Sequence, residues 1–260
     1  MPHPNGVPGI QGCRTFCIVR ILFRNRSEQN QSLRPLYKGK QGQLLYFAPI
    51  NTGNYRWFSK VYDGLAKLGI PGNVWRLSHH ELIAHLPDQG VVWVIGTGTG
   101  VALKAMPLSL QIVSVDASAD MERRARQSLS KHKVHFVRSS MQELDMRGLP
   151  TPDAIVFPYL LQLVEPEVWL EFERKLQALG HSKHPNLYVL DFVHPPQQRV
   201  WQRMYTALLL SFYAWASGQK VHQLNDWFAL LEAHGYQTRV RRTWLQGLVE
   251  FRLLQASQRL

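Results

Sequence analysis

The stretch Val91-Val92-Trp93-Val94-Ile95-Gly96-Thr97-Gly98-Thr99-Gly100 decides the fold of this 260-residue chain. Its first five residues are apolar and mostly β-branched, which is typical of a strand buried on both faces of a sheet. The three glycines allow a tight turn and let the backbone approach a ligand without Cβ clashes. With a helix predicted to begin within residues 98–106, the stretch forms a strand–glycine loop–helix unit.

Strands and helices alternate through the rest of the chain. Apolar runs predict further buried strands at 111–116, 134–137, 152–157 and 187–192, and helical spacing predicts helices at 119–131, 165–179, 198–217 and 224–234. Two closing strands, 237–244 and 247–254, have no helix between them, which indicates an antiparallel hairpin at the sheet edge. We therefore predict an α/β, Rossmann-like, doubly wound fold with a seven-stranded, mostly parallel sheet.

The pattern also predicts three regions along the chain. Residues 1–45 form a basic, flexible N-terminal arm, 46–90 a helical cap, and 91–260 the domain that holds the sheet. Within the cap, apolar spacing predicts a helix over Tyr55–Leu68. Ser78, with Glu81 three residues later, is predicted to cap a second helix that runs to His85.

The chain is strongly basic, with 30 Lys+Arg against 18 Asp+Glu and a formal charge of +12. Residues 1–45 hold seven of the basic residues and one acid, so 7 − 1 = +6 of the excess lies in the arm. That distribution favours a solvated or lipid-facing extension over a nucleic-acid surface, so we do not expect a nucleic-acid partner. No apolar run reaches the length of a transmembrane helix; peripheral membrane contact and the oligomeric state stay open.

Two cysteines, Cys13 and Cys17, are the only ones in the chain, which favours a reducing compartment and a cytoplasmic protein. Whether the arm is a targeting segment or follows from a mis-assigned start stays open. We expect no metal site, because the histidines lack metal-ligand spacing; they include His79-His80, His132, His181 and His184.

An acidic residue accompanies the glycine loop. Asp116 ends the second predicted strand, 116 − 96 = 20 residues after Gly96, where a carboxylate can accept the hydroxyls of an adenosine ribose. A dinucleotide fingerprint, G-x-G-x-x-G, would need its third glycine at Val101 or Ala102, so that alternative fits imperfectly. A tight turn that binds nothing also stays open.

The G-x-G-x-G spacing resembles class I S-adenosylmethionine-dependent methyltransferases. The resemblance continues through five further segments: Ile112–Met121, Phe136–Leu144, Asp153–Tyr159, Leu187–Phe192 and Leu224–Tyr236. It covers residues 55–254 and is closest to the small-molecule methyltransferases of ubiquinone and menaquinone biosynthesis, so 91–260 becomes a methyltransferase-like domain. A Tyr-Asp pair such as Tyr62-Asp63 often belongs to a lid in that family.

The resemblance implies S-adenosylmethionine as cofactor and a set of residues that bind it: Gly96, Thr97, Gly98, Thr99, Gly100, Asp116, Ala117, Met121, Ser140, Met141 and Phe157. Two positions depart from the family pattern. Val94 stands where an acid normally helps to hold the amino acid part of the cofactor, and Ser140 stands where an acid normally meets adenine. An uncharged partner holds such groups more weakly.

Four side chains near the carboxyl edge of the sheet are candidates for the chemistry: Tyr159, Gln162, Asp191 and His194. We predict Tyr159 and His194 as catalytic. The apolar segment 201–215 favours a small, largely apolar or aromatic acceptor.

Two other functions stay open. The first is a degenerate methyltransferase-fold protein with a binding or assembly role. The second is a nucleic-acid methyltransferase, although Phe157-Pro158-Tyr159-Leu160 lacks the amide and second proline of base-amine enzymes.

Overall fold

The computed structural model of the protein describes residues 70, 73–179, 184–195, 199–217 and 224–257. All of them belong to one compact unit, Ile50–Leu260. The predicted arm at 1–45, the helix at Tyr55–Leu68 and the pair Tyr62-Asp63 lie outside the described residues.

The described residues form one seven-stranded sheet. Its strands are β1 Gly90–Ile95, β2 Leu110–Asp116, β3 Lys133–Arg138, β4 Ala154–Pro158, β5 Asn186–Phe192, β6 Tyr236–Trp244 and β7 Val249–Ala256. The order is β3-β2-β1-β4-β5-β7-β6. The pairs among β1 to β5 are parallel, whereas β7 is antiparallel to both β5 and β6. The predicted α/β fold with a terminal hairpin is confirmed.

Helices cover the sheet at α1 Val74–Ala84, α2 Ala119–Ser128, α3 Pro166–Ala178, α4 Val200–Ser217 and α5 Trp227–Ala233. Three begin with the residue types that favour a helix start. Ser118 accepts a hydrogen bond from Met121 N, Asp226 accepts one from Ala229 N, and Pro166 opens α3. The predicted helix within 98–106 is instead a short 3-10 turn, Val101–Ala105, because the glycine loop extends to Gly100.

Strand β1 holds two apolar cores together because its residues alternate between the two faces of the sheet. Val92 and Val94 pack in the cluster that contains Trp75 and Leu82 of α1. Trp93 and Ile95 pack in the opposite cluster, with Trp169 and Phe172 of α3. All four β1 side chains are at most 1% exposed, which explains the unbroken apolar run in the sequence.

The prediction that Ser78 caps a helix is wrong. Helix α1 begins one turn earlier, at Val74, after Asn73 in the left-handed region at φ 60°. Ser78 therefore lies inside the helix, where its hydroxyl donates to Trp75 O at 3.2 Å. Sequence signals favoured the serine because serine and aspartate caps are common, but buried packing of Val74 and Trp75 extends the helix.

Three contacts attach α1 to the sheet. Ser78 Oγ lies 2.9 Å from Tyr159 Oη, just after β4. Tyr188 on β5 donates to His85 O at 2.9 Å. Arg242 on β6 forms a 2.9 Å ion pair with Glu81. These contacts hold α1 across the carboxyl half of the sheet, above the glycine loop.

Gln162 joins three segments beyond the carboxyl ends of the strands. Its side chain is only 3% exposed. Nε2 donates to Phe192 O at 2.8 Å and Asn225 O at 3.0 Å, and Oε1 accepts from Asn225 N at 2.8 Å. Gln162 is therefore a structural residue that connects the turn after β4, the end of β5 and the approach to α5.

We expect Gln162→Ala to destabilise the fold by about 2–4 kcal/mol, because it leaves buried backbone groups without partners. The midpoint of urea unfolding measures the change. Gln127→Ala, at an exposed position on α2, is the matched control and should shift the midpoint little. Equal midpoints for the two variants would contradict the role assigned to Gln162.

Candidate functional site

The glycine loop is locked to the end of β2 by its own backbone. Gly96 N and Thr97 N both donate to Val115 O, at 2.8 and 3.2 Å. Gly96, Gly98 and Gly100 adopt φ values of 78°, 58° and 69°, a region that side chains disfavour. A Cβ on Gly96 would lie 2.9 Å from Leu160 Cδ1, so glycine is required there for space as well as conformation.

Asp116 lies beside this loop, as predicted from the spacing. One carboxylate oxygen accepts from Gly98 N at 2.7 Å and the other from Ser118 N at 2.9 Å. Burial raises the pKa of Asp116 to about 6, although both amide hydrogen bonds act in the opposite direction. Each oxygen keeps a further lone pair, so the carboxylate can still accept hydroxyl groups of a ligand.

A cavity lies on the other side of the loop, towards β4. It is lined by the loop, by Pro158 and Tyr159 after β4, and by Trp75 and His79 of α1. The cavity measures about 30 Å³, which is room for roughly one or two water molecules. The lining consists of Trp75, His79, residues 96–103, Pro158 and Tyr159. None of these residues is acidic, and none is ionised at neutral pH.

Tyr159 and His79 form an aromatic pair within this lining. Their ring centroids are 5.5 Å apart, and Tyr159 also contacts Phe192 at 5.2 Å. Tyr159 has φ 54°, an uncommon conformation for a residue with a side chain. Its backbone N donates to Leu190 O at 2.6 Å, which holds this turn against β5. Such strain is characteristic of functional positions.

The other candidates for the chemistry separate into two kinds. Asp191 is 1% exposed and accepts from Phe192 N and Gln162 N, and burial raises its pKa to about 7. Its hydrogen bond with Gln162 N therefore holds the turn after β4 against the end of β5. His194 follows β5 and is exposed, so it is the accessible histidine of this group. The catalytic roles of Tyr159 and His194 stay predictions.

The remaining residues of the predicted cofactor set differ in access. Ala117 is exposed next to Asp116, whereas Met121 and Met141 are 4% and 6% exposed. Ser140 belongs to a turn, in which its hydroxyl accepts from Glu143 N at 3.2 Å and contacts Glu143 Oε2 at 3.3 Å. Glu143 is thus an acid next to Ser140, and the sequence analysis, which compared single positions with the family pattern, did not include it.

Phe157 is a correction to the predicted cofactor set. Its side chain is fully buried and meets Trp169 and Phe172 edge-on, at centroid distances of 5.8 and 6.1 Å. Because the residues of β4 alternate between the two faces, Phe157 points into the core on the α3 side. In this structure it offers no surface to a cofactor.

His79 is the lining residue that sequence reasoning passed over. Its sequence signal, one histidine beside another in a helix, indicates no particular chemistry. Among the described residues, no group of three or more histidine, cysteine or acidic side chains is placed to hold a metal ion. None of the helices in the described ranges is long and apolar enough to cross a membrane.

Comparison with known proteins identifies the kind of domain. Residues 92–180 match the family model of a methyltransferase domain. A search of curated sequences found no match. Residues 92–180 thus match a methyltransferase domain, and the fold and the glycine loop agree with the predicted class I S-adenosylmethionine-dependent type. The finer likeness to ubiquinone- and menaquinone-type enzymes stays a prediction.

Solved structures share the fold at low sequence identity. An O-methyltransferase family protein from Burkholderia thailandensis aligns at TM-score 0.55 and 14% identity, over 78% of this chain and 60% of that one. Mitomycin 7-O-methyltransferase MmcR aligns at 0.54 and 14%, over 80% and 62%. A Leishmania major S-adenosylmethionine-dependent methyltransferase aligns at 0.52 and 15%, over 76% and 77%. The chain thus spans less than two thirds of the first two proteins.

The residues at this site fit S-adenosylmethionine by their chemistry. Since β2, β1 and β4 are neighbours, Asp116 would hold the ribose over β2 and the amino acid part would lie towards the cavity beside β4. The positive φ angles of Gly96, Gly98 and Gly100 turn the loop backbone over the edge of the sheet, where a ligand can meet it. The cavity is smaller than this part of the cofactor, so side chains of α1 or Tyr159 must shift when it enters.

The raised pKa of Asp116 predicts a pH dependence of cofactor binding. Above pH 6 the carboxylate is ionised and accepts ribose hydroxyls; below pH 6 it is protonated and becomes a weaker acceptor. Calorimetry with S-adenosylhomocysteine should show affinity falling by up to about tenfold between pH 7 and pH 5. Asp116→Asn should bind weakly with little dependence over this range. A wild-type affinity that is flat from pH 7 to pH 5 would contradict this role.

Gly96→Ala and Gly148→Ala separate displacement of the glycine loop from backbone strain. Both glycines have similar φ, 78° and 77°, but a Cβ on Gly96 would lie 2.9 Å from Leu160 Cδ1, whereas one on Gly148 meets nothing within 4 Å. Both variants should lose about 1 kcal/mol of stability or more through strain. Only Gly96→Ala should also weaken S-adenosylhomocysteine, by at least about tenfold, because the loop and Leu160 have to move apart. Similar affinities for the two variants in calorimetry would show that the position of the loop against Leu160 does not matter for binding.

Proposed function

We propose that this protein transfers a methyl group from S-adenosylmethionine to a small, largely apolar or aromatic acceptor. The observation that carries the proposal is the run of aromatic rings at the carboxyl ends of β4 and β5: the Phe192 ring centroid lies 5.2 Å from that of Tyr159 and 6.2 Å from that of Tyr205 on α4. Aromatic side chains at this edge of the sheet are suited to an apolar or aromatic acceptor.

The residues of the site would act mainly by positioning. The bound cofactor supplies an activated methyl group on a sulfonium, so the protein has to align the acceptor and exclude water. Tyr159, held by Ser78 and by Leu190 O, presents a fixed ring wall to the acceptor. Rigid aromatic walls orient planar acceptors with little loss of entropy.

A protonated acceptor such as a phenol also needs a base. His194 is exposed after β5, at the same edge of the sheet as Tyr159, and is the candidate for this role. An imidazole is suited to act as a general base towards a phenolic proton. The related structures include enzymes named as O-methyltransferases, which supports an oxygen acceptor as the first class to test.

Release of S-adenosylhomocysteine tests the proposal directly. The full chain is incubated with S-adenosylmethionine and a panel of phenols, quinols, charged catechol acids and a short RNA. Release is expected with the apolar aromatic members only. Turnover confined to RNA would overturn the proposed acceptor class.

A second function is favoured by one specific observation. Val94, at the position of the missing acid, is fully buried among apolar side chains. A domain that keeps the fold while losing this contact suits a binding or assembly role without catalysis. Binding of S-adenosylhomocysteine in calorimetry without turnover of any panel member would favour this second function.

The role of His194 gives a more specific prediction. With a phenol acceptor, His194→Ala should lower kcat about 100-fold, because the base is lost. His184→Ala is the matched control: His184 is also exposed, but it precedes β5 and so lies at the opposite edge of the sheet. Equal kcat values for the two variants would exclude His194 as the base.

A further inference from the structure

His79 has a defined tautomer inside the cavity lining. Its Nδ1 lies 2.7 Å from Trp75 O, one turn earlier in α1. A carbonyl oxygen only accepts hydrogen bonds, so Nδ1 carries the proton and Nε2 is the acceptor nitrogen of the ring. Burial lowers the pKa of His79 to about 4, so the imidazole is neutral at physiological pH. The side chain is therefore a fixed, uncharged acceptor.

His79 lies on the same side of the sheet as Val94. Val94 packs on the face of the sheet that α1 covers, in one cluster with Trp75. His79 follows Trp75 by one helical turn, and their rings lie 4.6 Å apart between centroids in a tilted arrangement. The loop that begins just after Val94 lines the same cavity as His79. A group that approaches the loop from the β4 side thus meets His79.

The amino acid part of the cofactor brings an ammonium group that needs acceptors when it leaves water. Among the cavity-lining side chains, the Thr97 hydroxyl already has two hydrogen-bond partners, since it donates to Val94 O and accepts from Ser114, and keeps one lone pair. The Tyr159 hydroxyl is engaged with Ser78. His79 supplies a ring nitrogen whose lone pair points away from its own helix carbonyl.

We propose that Nε2 of His79 accepts a hydrogen bond from the ammonium group of S-adenosylmethionine, in place of the acid that Val94 has replaced. The inference rests on the proposed function, because it names how that cofactor is held. A neutral imidazole suits this ligand, which already carries a positive sulfonium; a charged histidine would repel it. His79 is thus assigned as a cofactor-binding residue.

Two ligands isolate this contact in calorimetry with the full chain. S-adenosylhomocysteine carries the ammonium group, whereas 5′-methylthioadenosine has the same nucleoside and lacks the amino acid part. His79→Leu keeps an apolar side chain and removes the acceptor. It should weaken S-adenosylhomocysteine about 10- to 100-fold, the range for one charge-assisted hydrogen bond, and change 5′-methylthioadenosine less than about twofold. His79→Gln, whose amide oxygen reaches the position of Nε2, should restore affinity to within about threefold.

His85 provides a matched control on the same helix. Its Nδ1 lies 2.9 Å from Glu81 O, the same spacing of four residues, but His85 does not line the cavity. His85→Leu should leave both affinities unchanged. If His79→Leu fails to fold by circular dichroism, His79→Gln and His79→Asn decide, because asparagine is one carbon too short. Asparagine should then bind S-adenosylhomocysteine at least about tenfold more weakly than glutamine.

The outcomes separate this inference from the proposed function. Equal weakening of both ligands by His79→Leu would show that the residue only shapes the cavity, and no weakening of either would remove it from the site. Both results overturn the role of His79 and leave cofactor binding intact. Failure of the wild-type chain to bind either ligand would overturn the proposed function together with this role.

Discussion

The hydrogen bonds that tie the glycine loop to the end of β2 are the constraint on which the site depends. Gly96 N and Thr97 N share Val115 O, and Gly98 N reaches the carboxylate of Asp116. These bonds require positive φ angles at the glycines, and they turn the chain back over the sheet edge. One local arrangement thereby positions the backbone for close approach and the acid for ribose recognition.

Helix α1 completes the site from the opposite side. Its contacts with Tyr159, Tyr188 and Arg242 come from three different strands or strand ends, so its position depends on the assembled sheet. In this position α1 brings Trp75 and His79 over the loop. Val94 is fully buried on the face of the sheet beneath α1. Because valine carries no charge, this face packs tightly without the cost of burying an acid.

The site as a whole is electrically asymmetric. On the β2 side, Asp116 supplies an anionic partner whose pKa burial has raised to about 6. On the β4 side, His79, Tyr159 and the loop threonines are neutral. A cofactor with an adenosine at one end and a sulfonium near the other suits this division, since the acid meets hydroxyl groups and the apolar half meets the acceptor.

The sequence by itself determined the sheet, the glycine loop and the partnership of Gly96 to Gly100 with Asp116. The sheet follows from local periodicity along the chain. The loop and Asp116 follow from glycine conformation and from a fixed spacing between two consecutive strands, both of which lie within about 25 residues. The boundaries of most strands also followed, because a strand buried on both faces needs an unbroken apolar run.

Only the tertiary structure decided what surrounds the loop. It moved Ser78 from a helix cap to a contact with Tyr159, buried Phe157 among Trp169 and Phe172, and made Gln162 a structural link. It also placed His79, and not the adjacent His80, among the residues that line the cavity. Each outcome depends on which face of an element meets another element distant in sequence, and residue type alone does not specify that pairing.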